Sequence, residues 1–422
     1  MLNNSTIDPG PHWRLRFWSI FGGQSLSLIG SALTQFVLVW WITDTTGSMS
    51  ALAVAGLAAM LPQALLSPLG GILADRYSRR LLMISADAVS ALCMVVLIIL
   101  FATEQVALWH IYTMMAIRSA MQAFQAPAAM ASVAMLVPAS YLIRAGGLSQ
   151  ALQSLTIVFA APLGALAISA MLIGWALAID VATAVLGIVP LLCFKIPQAL
   201  EANRKAQNVW RDFQDGVGWV WKTPGLRQLY ALLAVVVLSV MPAFTLVPLL
   251  VKEHFSGGAT HVALMEGFSG IGMVLGGLLV AAMAPRRPML WILLGFSVSC
   301  LAMALTALAP SRLFSVAVAW WVISGVTFVL ADAPLVALLQ GIVPNQMQGR
   351  VFSLLNSIMG LAAPVGLALL TPLGELVGVR ALFVIAGLLG AGVSLAGFLS
   401  PSLMRLDHPA TACTGRRPIG GD

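Results

Sequence analysis

Residues 70–80 read GGILADRYSRR, a short charged stretch between two long apolar ones. No charged side chain occurs in residues 51–74 before Asp75, and residues 81–102 contain only Asp87. A helix that crosses a bilayer needs about 20 consecutive, mostly apolar residues. The sequence therefore predicts two transmembrane helices joined by a short loop of mixed charge.

The composition extends this pattern to the whole chain. Of the 422 residues, 60% are hydrophobic and 9% are charged, whereas about 25% are charged in an ordinary soluble domain. The four cysteines do not suggest a disulfide framework, and three of them lie in apolar stretches. These numbers exclude a soluble protein and predict an all-α membrane protein.

Twelve stretches are long and apolar enough to span a membrane. The first follows Arg14 and Arg16 as a signal peptide would, but it is too long for one and has no clear cleavage site, so we interpret it as a retained helix. The predicted spans are residues 17–42, 51–74, 81–102, 107–126, 147–171, 175–194, 228–251, 262–284, 289–309, 313–335, 351–374 and 380–400.

The distribution of Lys and Arg predicts the orientation of these spans. If the N-terminus is cytoplasmic, eighteen of the 22 basic residues lie in inside segments and Arg118 lies within a span. The outside loops then contain only Lys252, Arg312 and Arg380. Because inside loops carry the excess of Lys and Arg, both termini are predicted to be cytoplasmic.

An internal repeat divides the chain into two halves. Gly70-Gly71 recurs as Gly276-Gly277 and Arg144 recurs as Arg350, each 206 residues later, and three further matches follow in order at nearly this offset. A parallel duplication of six helices is the plan of transporters that enclose a substrate path between two halves. We predict an N-terminal bundle at residues 1–194, a linker at 195–227, a C-terminal bundle at 228–402 and a cytoplasmic tail at 403–422.

The linker contains apolar residues at helical spacing among charged ones, namely Trp210, Phe213, Val217 and Trp221. This pattern is typical of an amphipathic helix on the inner membrane surface. A helix that binds a partner is the alternative.

The loop at residues 70–80 resembles the signature of the major facilitator superfamily, G-x-L-a-D-r-x-G-r-[KR]. Ser78 departs from the second glycine of that signature. The resemblance implies twelve transmembrane helices in two pseudo-symmetric six-helix bundles and a loop that locks a cytoplasmic gate. A loop that only sets orientation is the alternative. The residues of the gate motif are Gly71, Asp75, Arg76, Arg79 and Arg80.

Other segments resemble the macrolide-efflux proteins of the drug:proton antiporter-3 branch. They include IRSAMQAFQAPA at residues 117–128, AIDVATAV at 178–185 and GRVFSLLNSIMGLAAPVGL at 349–367. The resemblance implies a monomeric exporter of macrolide-like drugs in the bacterial inner membrane, driven by the proton gradient. The antiporter motif of related pumps is degenerate here, since Ala161 precedes Pro162 in place of glycine. A siderophore exporter of the enterobactin type and a membrane sensor or scaffold that moves no solute remain alternatives.

Ionisable residues at membrane depth are costly and mark candidate functional sites. Asp87 and Arg118 lie at similar depth in helices 3 and 4, which makes an ion pair between them plausible, either as a structural pin or as a switch. Asp180 and Glu266 are further candidates for proton coupling, although Glu266 could instead face water outside. Asp332 is expected to pair with Arg286 or Arg287, which occupy the second-half counterpart of the gate loop.

A cavity for an amphiphilic substrate would contain aromatic, methionine and amide side chains. The resemblance implies that helices 1, 4, 7 and 10 line this cavity. Candidate residues on them are Gln24, Gln35, Met121, Gln122, Gln125, Phe244 and Trp321.

Enzymatic functions find little support in the sequence. Trp221 stands where an ATP-binding loop would need glycine before Lys222-Thr223. Residues 267–270, GFSG, resemble a serine-protease motif, but no histidine lies deep in a later helix to act as its base, so helix packing explains them better. We therefore expect no catalytic residue, metal or cofactor, and a small-molecule substrate, protons and lipid rather than nucleic acid as partners.

Overall fold

The computed structural model describes residues 12–138, 141–196, 217–283, 287–343 and 345–407. Over these ranges the chain forms long helices and no strands. The twelve long helices are α1 Trp13–Thr46, α2 Met49–Arg76, α3 Arg79–Ala102, α4 Leu108–Leu136, α5 Leu142–Ala170, α6 Ile173–Cys193, α7 Pro224–Phe255, α8 Ala259–Met283, α9 Pro288–Leu308, α10 Phe314–Ile342, α11 Asn345–Val377 and α12 Val379–Ala396.

These helices confirm the twelve predicted spans. Among the described residues, eleven helices are long and apolar enough to cross a membrane, and α4 is the remaining one of the twelve. The fourth predicted span ends before Pro127, but α4 continues to Leu136 with that proline inside it. Proline is tolerated there because neighbouring groups in a membrane bundle can satisfy the carbonyl that it leaves free.

The helices group into two compact units. The first comprises Met1–Arg204 with Thr245–Gly267, and the second comprises Lys205–Phe244 with Phe268–Asp422. Helix α7 therefore begins in the second unit and ends in the first. The four-part division from the repeat stays a prediction, because compactness and duplication are different properties.

Small residues bring the helices of the first unit together. A Cβ atom at Gly23 of α1 would lie 2.6 Å from the backbone oxygen of Leu186 of α6, and one at Gly164 of α5 would lie 2.6 Å from the ring of Phe36. Only glycine permits such close backbone approach, which drives helix association in lipid. An apolar cluster also joins helices α1, α3, α4, α5 and α6. It includes Phe17, Met83, Leu136, Ala145 and Leu191.

Glycine residues also allow close helix packing in the second unit. A Cβ atom at Gly272 of α8 would lie 2.7 Å from the backbone oxygen of Val322 of α10, and one at Gly387 of α12 would lie 2.5 Å from that of Cys300 of α9. Ser269 belongs to this packing, since its backbone oxygen lies 2.7 Å from a Cβ at Gly325. The GFSG sequence is thus part of a helix–helix contact, as predicted.

A short helix, α13 Pro401–Met404, and the turn Arg405–Asp407 close the described chain. Oδ1 of Asp407 accepts the backbone N–H of Met289 at 2.7 Å, which caps the N-terminus of α9. On the linker side, residues 217–222 are helical and the side chain of Trp221 is exposed. Trp210 and Phe213 lie outside the described residues, so the amphipathic linker helix stays a prediction.

Candidate functional site

A polar cavity of about 230 Å³ lies inside the first unit. It is enclosed by α1, α2, α3, α4 and α6, and its walls combine amides, hydroxyls and three charged side chains. The polar lining residues are Gln24, Ser27, Ser31, Gln35, Gln63, Asp87, Ser90, Arg118, Ser119, Gln122, Gln125 and Asp180. Such a concentration of polar groups at membrane depth is costly and marks a candidate functional site.

A buried ion pair joins α4 and α6 at this cavity. The guanidinium of Arg118 lies 2.8 Å from Oδ2 of Asp180, and their side chains are 11% and 2% exposed. Ser31 of α1 donates a hydrogen bond of 2.9 Å to the other oxygen of Asp180, and Met94 accepts one of 3.6 Å from Arg118. Each charge therefore has a partner, as burial requires.

The partner of Arg118 differs from the predicted one. The sequence suggested an Asp87–Arg118 pair because the two residues lie at similar depth, but the structure pairs Arg118 with Asp180. Depth along a helix is read from residue number, whereas the direction of a side chain around the bundle depends on how the helices pack. The prediction of the pair is wrong, although both residues do line the same cavity.

Asp87 is held instead by an amide relay. Nε2 of Gln24 donates to Oδ2 of Asp87 at 2.9 Å, and Nε2 of Gln125 donates to Oε1 of Gln24 at 2.7 Å. Gln24 also donates to the backbone oxygen of Gly187 at 3.3 Å, which anchors it to α6. Within the described part of the chain, Asp87 has no cationic partner.

Four of the predicted cavity residues meet at this site, namely Gln24, Gln35, Gln122 and Gln125. Met121 is not among the residues that line it. Gln63 of α2 and Ser90 of α3 line the cavity but were missed, because we considered only helices 1, 4, 7 and 10. Their polarity within apolar spans was the signal that could have identified them.

The two aromatic candidates lie in the second unit. The rings of Phe244 and Trp321 are 4.9 Å apart, and Trp321 also approaches the ring of Phe383. Trp321 is only 1% exposed. In this structure its ring therefore packs against other helices rather than facing a cavity, which corrects the prediction for this residue.

Glu266 does not line the polar cavity. It is half-buried in α8, next to Gly267, whose Cβ position lies 3.1 Å from the ring of Pro162 in α5. A role in proton coupling stays a prediction for this residue.

The 70–80 segment contains two arginines that cap other helices. Arg79 donates to the backbone oxygen of Ala131 at 3.2 Å near the end of α4. Arg80 donates to the backbone oxygens of Leu191 and Leu192 at the end of α6, the latter at 2.8 Å. A cation at a helix C-terminus compensates its partial negative charge and its free carbonyls. Arg76 is exposed, whereas the surroundings of Gly71 and the side chain of Asp75 lie outside what the structure describes.

Of the corresponding loop of the second unit, the structure describes Arg287 but not residues 284–286. Arg287 is exposed at the N-terminus of α9, and Asp332 is half-buried in α10. No ion pair joins Arg287 to Asp332, so that predicted pairing is wrong for this arginine. Arg286 lies outside the described residues.

Comparisons with known proteins agree with this architecture. The family model described as Major Facilitator Superfamily matches residues 20–367 and 235–412. Macrolide efflux protein A of Streptococcus pyogenes is 30% identical over 398 residues, which is 94% of this chain and 98% of that protein. Macrolide efflux protein A of Enterococcus faecalis is 31% identical over 323 residues, or 76% of this chain and all of that protein.

The fold is also similar to that of solved structures. A bacterial homolog of the human lysosomal transporter Spinster superposes with a TM-score of 0.68 at 15% identity, covering 94% of this chain and 98% of that one. These relatives and neighbours are transporters and not enzymes, which fixes the class of this protein and implies a small-molecule substrate. The chain is a multi-pass bacterial membrane transporter and belongs to the major facilitator superfamily.

Proposed function

We propose that this protein is a secondary active exporter of amphiphilic small molecules of the macrolide kind, driven by proton antiport with alternating access. The observation that carries the proposal is the 30% identity to macrolide efflux protein A over 94% of the chain. The match covers both bundles, so it includes the whole apparatus that alternating access would need.

The buried ion pair supports the choice of protons as the coupling ion. Protonation of Asp180 would remove the negative charge opposite Arg118 and leave a guanidinium buried without a counter-charge. Breaking such a pair costs about 3–5 kcal/mol. A transporter can relieve this cost by moving to a state in which water or another group solvates Arg118, and a proton is then coupled to a change of access.

The orientation and the gate belong to the same proposal. Both termini and the 195–227 linker are cytoplasmic in it, and residues 70–80 form the inner gate. Reporter fusions after Asp422 and near Asn203 should be active only with a reporter that works in the cytoplasm. Activity of a periplasm-dependent reporter at either site would reverse the topology.

Replacement of Asp75 by Asn tests the gate. We expect flux to fall several-fold while the amount of inserted protein stays unchanged, because the variant removes a charge from the loop and leaves its length and its arginines intact. Normal flux at wild-type expression would reduce the loop to an orientation signal.

Transport in inverted membrane vesicles tests the function itself. We expect uptake of a macrolide into such vesicles when their interior is acidified, and no uptake after a protonophore is added. Vesicles from the same host without the protein provide the control for passive partition into lipid. Flux of a siderophore instead of a macrolide would change the substrate class, flux without the gradient would exclude antiport, and no flux of any compound would favour a sensor or scaffold.

A further inference from the structure

We propose that the polar cavity of the first unit is a subsite for a protonated amine, with Asp87 as the counter-ion of the substrate. This inference rests on the proposed function and specifies its substrate class as amphiphiles that carry one basic nitrogen. It follows from the charges, contacts and size of the cavity.

The charges that line the cavity do not balance. Asp87 and Asp180 each contribute a carboxylate, and Arg118 is the one cation among the described lining residues. Arg118 already forms an ion pair with Asp180, at a distance of 2.8 Å. With these groups ionised, the cavity therefore has a formal charge of −1, located on Asp87.

The contacts of Asp87 leave room for a ligand. Its side chain is 8% exposed, and Gln24 donates to Oδ2 at 2.9 Å. Its other oxygen, Oδ1, accepts no hydrogen bond from any residue in the described ranges. A buried carboxylate with one oxygen bound and no cation bonded to it is a strong acceptor for an ammonium N–H, because hydrogen bonds between charged groups are stronger than neutral ones.

The amide relay makes this acceptor directional. Gln24 is oriented by Gln125 at 2.7 Å and by the backbone of Gly187 at 3.3 Å, so its N–H points at Asp87. A fixed donor on Oδ2 leaves Oδ1 for the ligand. Gln125 and Gln24 are therefore positioning residues for Asp87.

The volume indicates what part of a substrate enters. Pockets that hold a whole drug-sized ligand measure about 300–1,000 Å³, whereas this cavity measures about 230 Å³. It is suited to an amine-bearing head group, with the apolar remainder of the molecule outside. An anionic head group would meet Asp87 with no free cation to compensate it.

Equilibrium binding to the full-length protein in lipid nanodiscs tests the charge preference without any need for transport. The probes are dansylcadaverine, which carries one primary ammonium, and N-acetyl-dansylcadaverine, which differs by lacking that charge. We expect the wild type to bind the amine at least about tenfold more tightly than the amide, the discrimination that one charged hydrogen bond supplies. Equal affinities, or no detectable binding of the amine, would overturn the proposal.

Three variants assign the preference to a residue. Asp87→Asn should abolish the preference and leave the affinity for the amide within about twofold, whereas Asp87→Glu should retain it because the charge is kept. Glu104→Gln, which removes an exposed carboxylate outside the cavity, should behave as the wild type. A preference that survives in Asp87→Asn would assign the amine to another group.

The two proposals fail in different ways. If the amine preference depends on Asp87 but no compound is transported in vesicles, the subsite stands and the exporter is wrong. If macrolide flux responds to the proton gradient but amine and amide bind equally, the exporter stands and the subsite is wrong.

Discussion

The two units contain the same kind of helices but differ in what they bury. Within the described residues, the buried polar side chains of the second unit are all hydroxyls, such as Ser299 and Ser324, whereas the first unit also buries Asp87 and Asp180. The difference is clearest at equivalent positions, because Ser324 lies 206 residues after Arg118, at the offset of the internal repeat. One copy of the duplicated fold uses a cation at this position, and the other uses a serine.

The second copy of the fold packs without a charge at this position. Ser324 and Ser299 exchange hydrogen bonds between side chains and backbone oxygens, each at 3.0 Å, and so satisfy the contact between α9 and α10 without any ion. In the first unit Arg118 is bound by Asp180 and Met94, and Asp180 also accepts a hydrogen bond from Ser31. A costly arrangement that the sister unit avoids is better explained by function than by stability.

The largest effect that we expect comes from splitting the buried pair. Arg118→Gln or Asp180→Asn alone should lower the stability of the protein by about 3–5 kcal/mol, because each leaves an unpaired buried charge. The double variant should recover most of that loss, since the second unit packs without the pair, but it should not recover gradient-driven flux. Thermal unfolding in detergent and vesicle uptake measure the two properties.

The functional explanation of the buried pair would be wrong if the double variant were as unstable as the single ones. The pair would then be a structural pin of the first unit. Recovery of both stability and flux in the double variant would also contradict the functional explanation, since the charges would then be dispensable for transport.

The second effect contrasts Arg80 of the first unit with Arg287 of the second. Arg80→Ala removes the cation from the end of α6 and should cost about 1–2 kcal/mol, the upper range for a partly buried charge at a helix terminus. Arg287→Ala is the matched control in the other unit. Its side chain is exposed at the start of α9, so we expect a change within about 0.5 kcal/mol. Thermal unfolding measures both, and equal losses would contradict the difference between these two arginines.

The sequence predicted the elements of this fold better than their contacts. Apolar length located all twelve helices, and the cost of charge in lipid singled out Asp87, Arg118 and Asp180. The partner of Arg118 was assigned wrongly because rotation about a helix axis follows from packing. In this case the packing depends on close contacts such as Gly23 against Leu186.

Two further errors have a similar origin. Trp321 has the composition expected of a cavity residue, but its neighbours Phe244 and Phe383 enclose it. The fourth predicted span ended at residue 126, whereas α4 continues through Pro127 to Leu136. Each of these outcomes depends on side chains that are distant in the sequence.

The third effect concerns the serine pair of the second unit. Ser324→Ala should cost about 1 kcal/mol, the usual contribution of a hydrogen bond between neutral groups, and should leave flux close to that of the wild type. Ser299→Ala should behave alike, and the double variant should cost less than the sum, because the two side chains share their contacts. A loss of flux comparable with that of Arg118→Gln would place a functional group in the second unit as well.

The smallest effect comes from an exposed ion pair in the same unit. Its contribution to stability can be compared with that of the buried pair. Lys252 lies 3.4 Å from Oδ1 of Asp44, and it also donates to the backbone oxygen of Thr43 at 3.0 Å near the end of α1. Asp44 is 62% exposed, so solvent screens the pair and its contribution should be about 0–1 kcal/mol. Asp44→Asn should therefore barely change thermal unfolding, and the small change should disappear at high salt. Lys252→Ala should cost slightly more, because the lysine also neutralises the C-terminus of α1. A salt-independent loss from Asp44→Asn as large as that from Asp180→Asn would mean that burial does not explain the cost of splitting the Arg118–Asp180 pair.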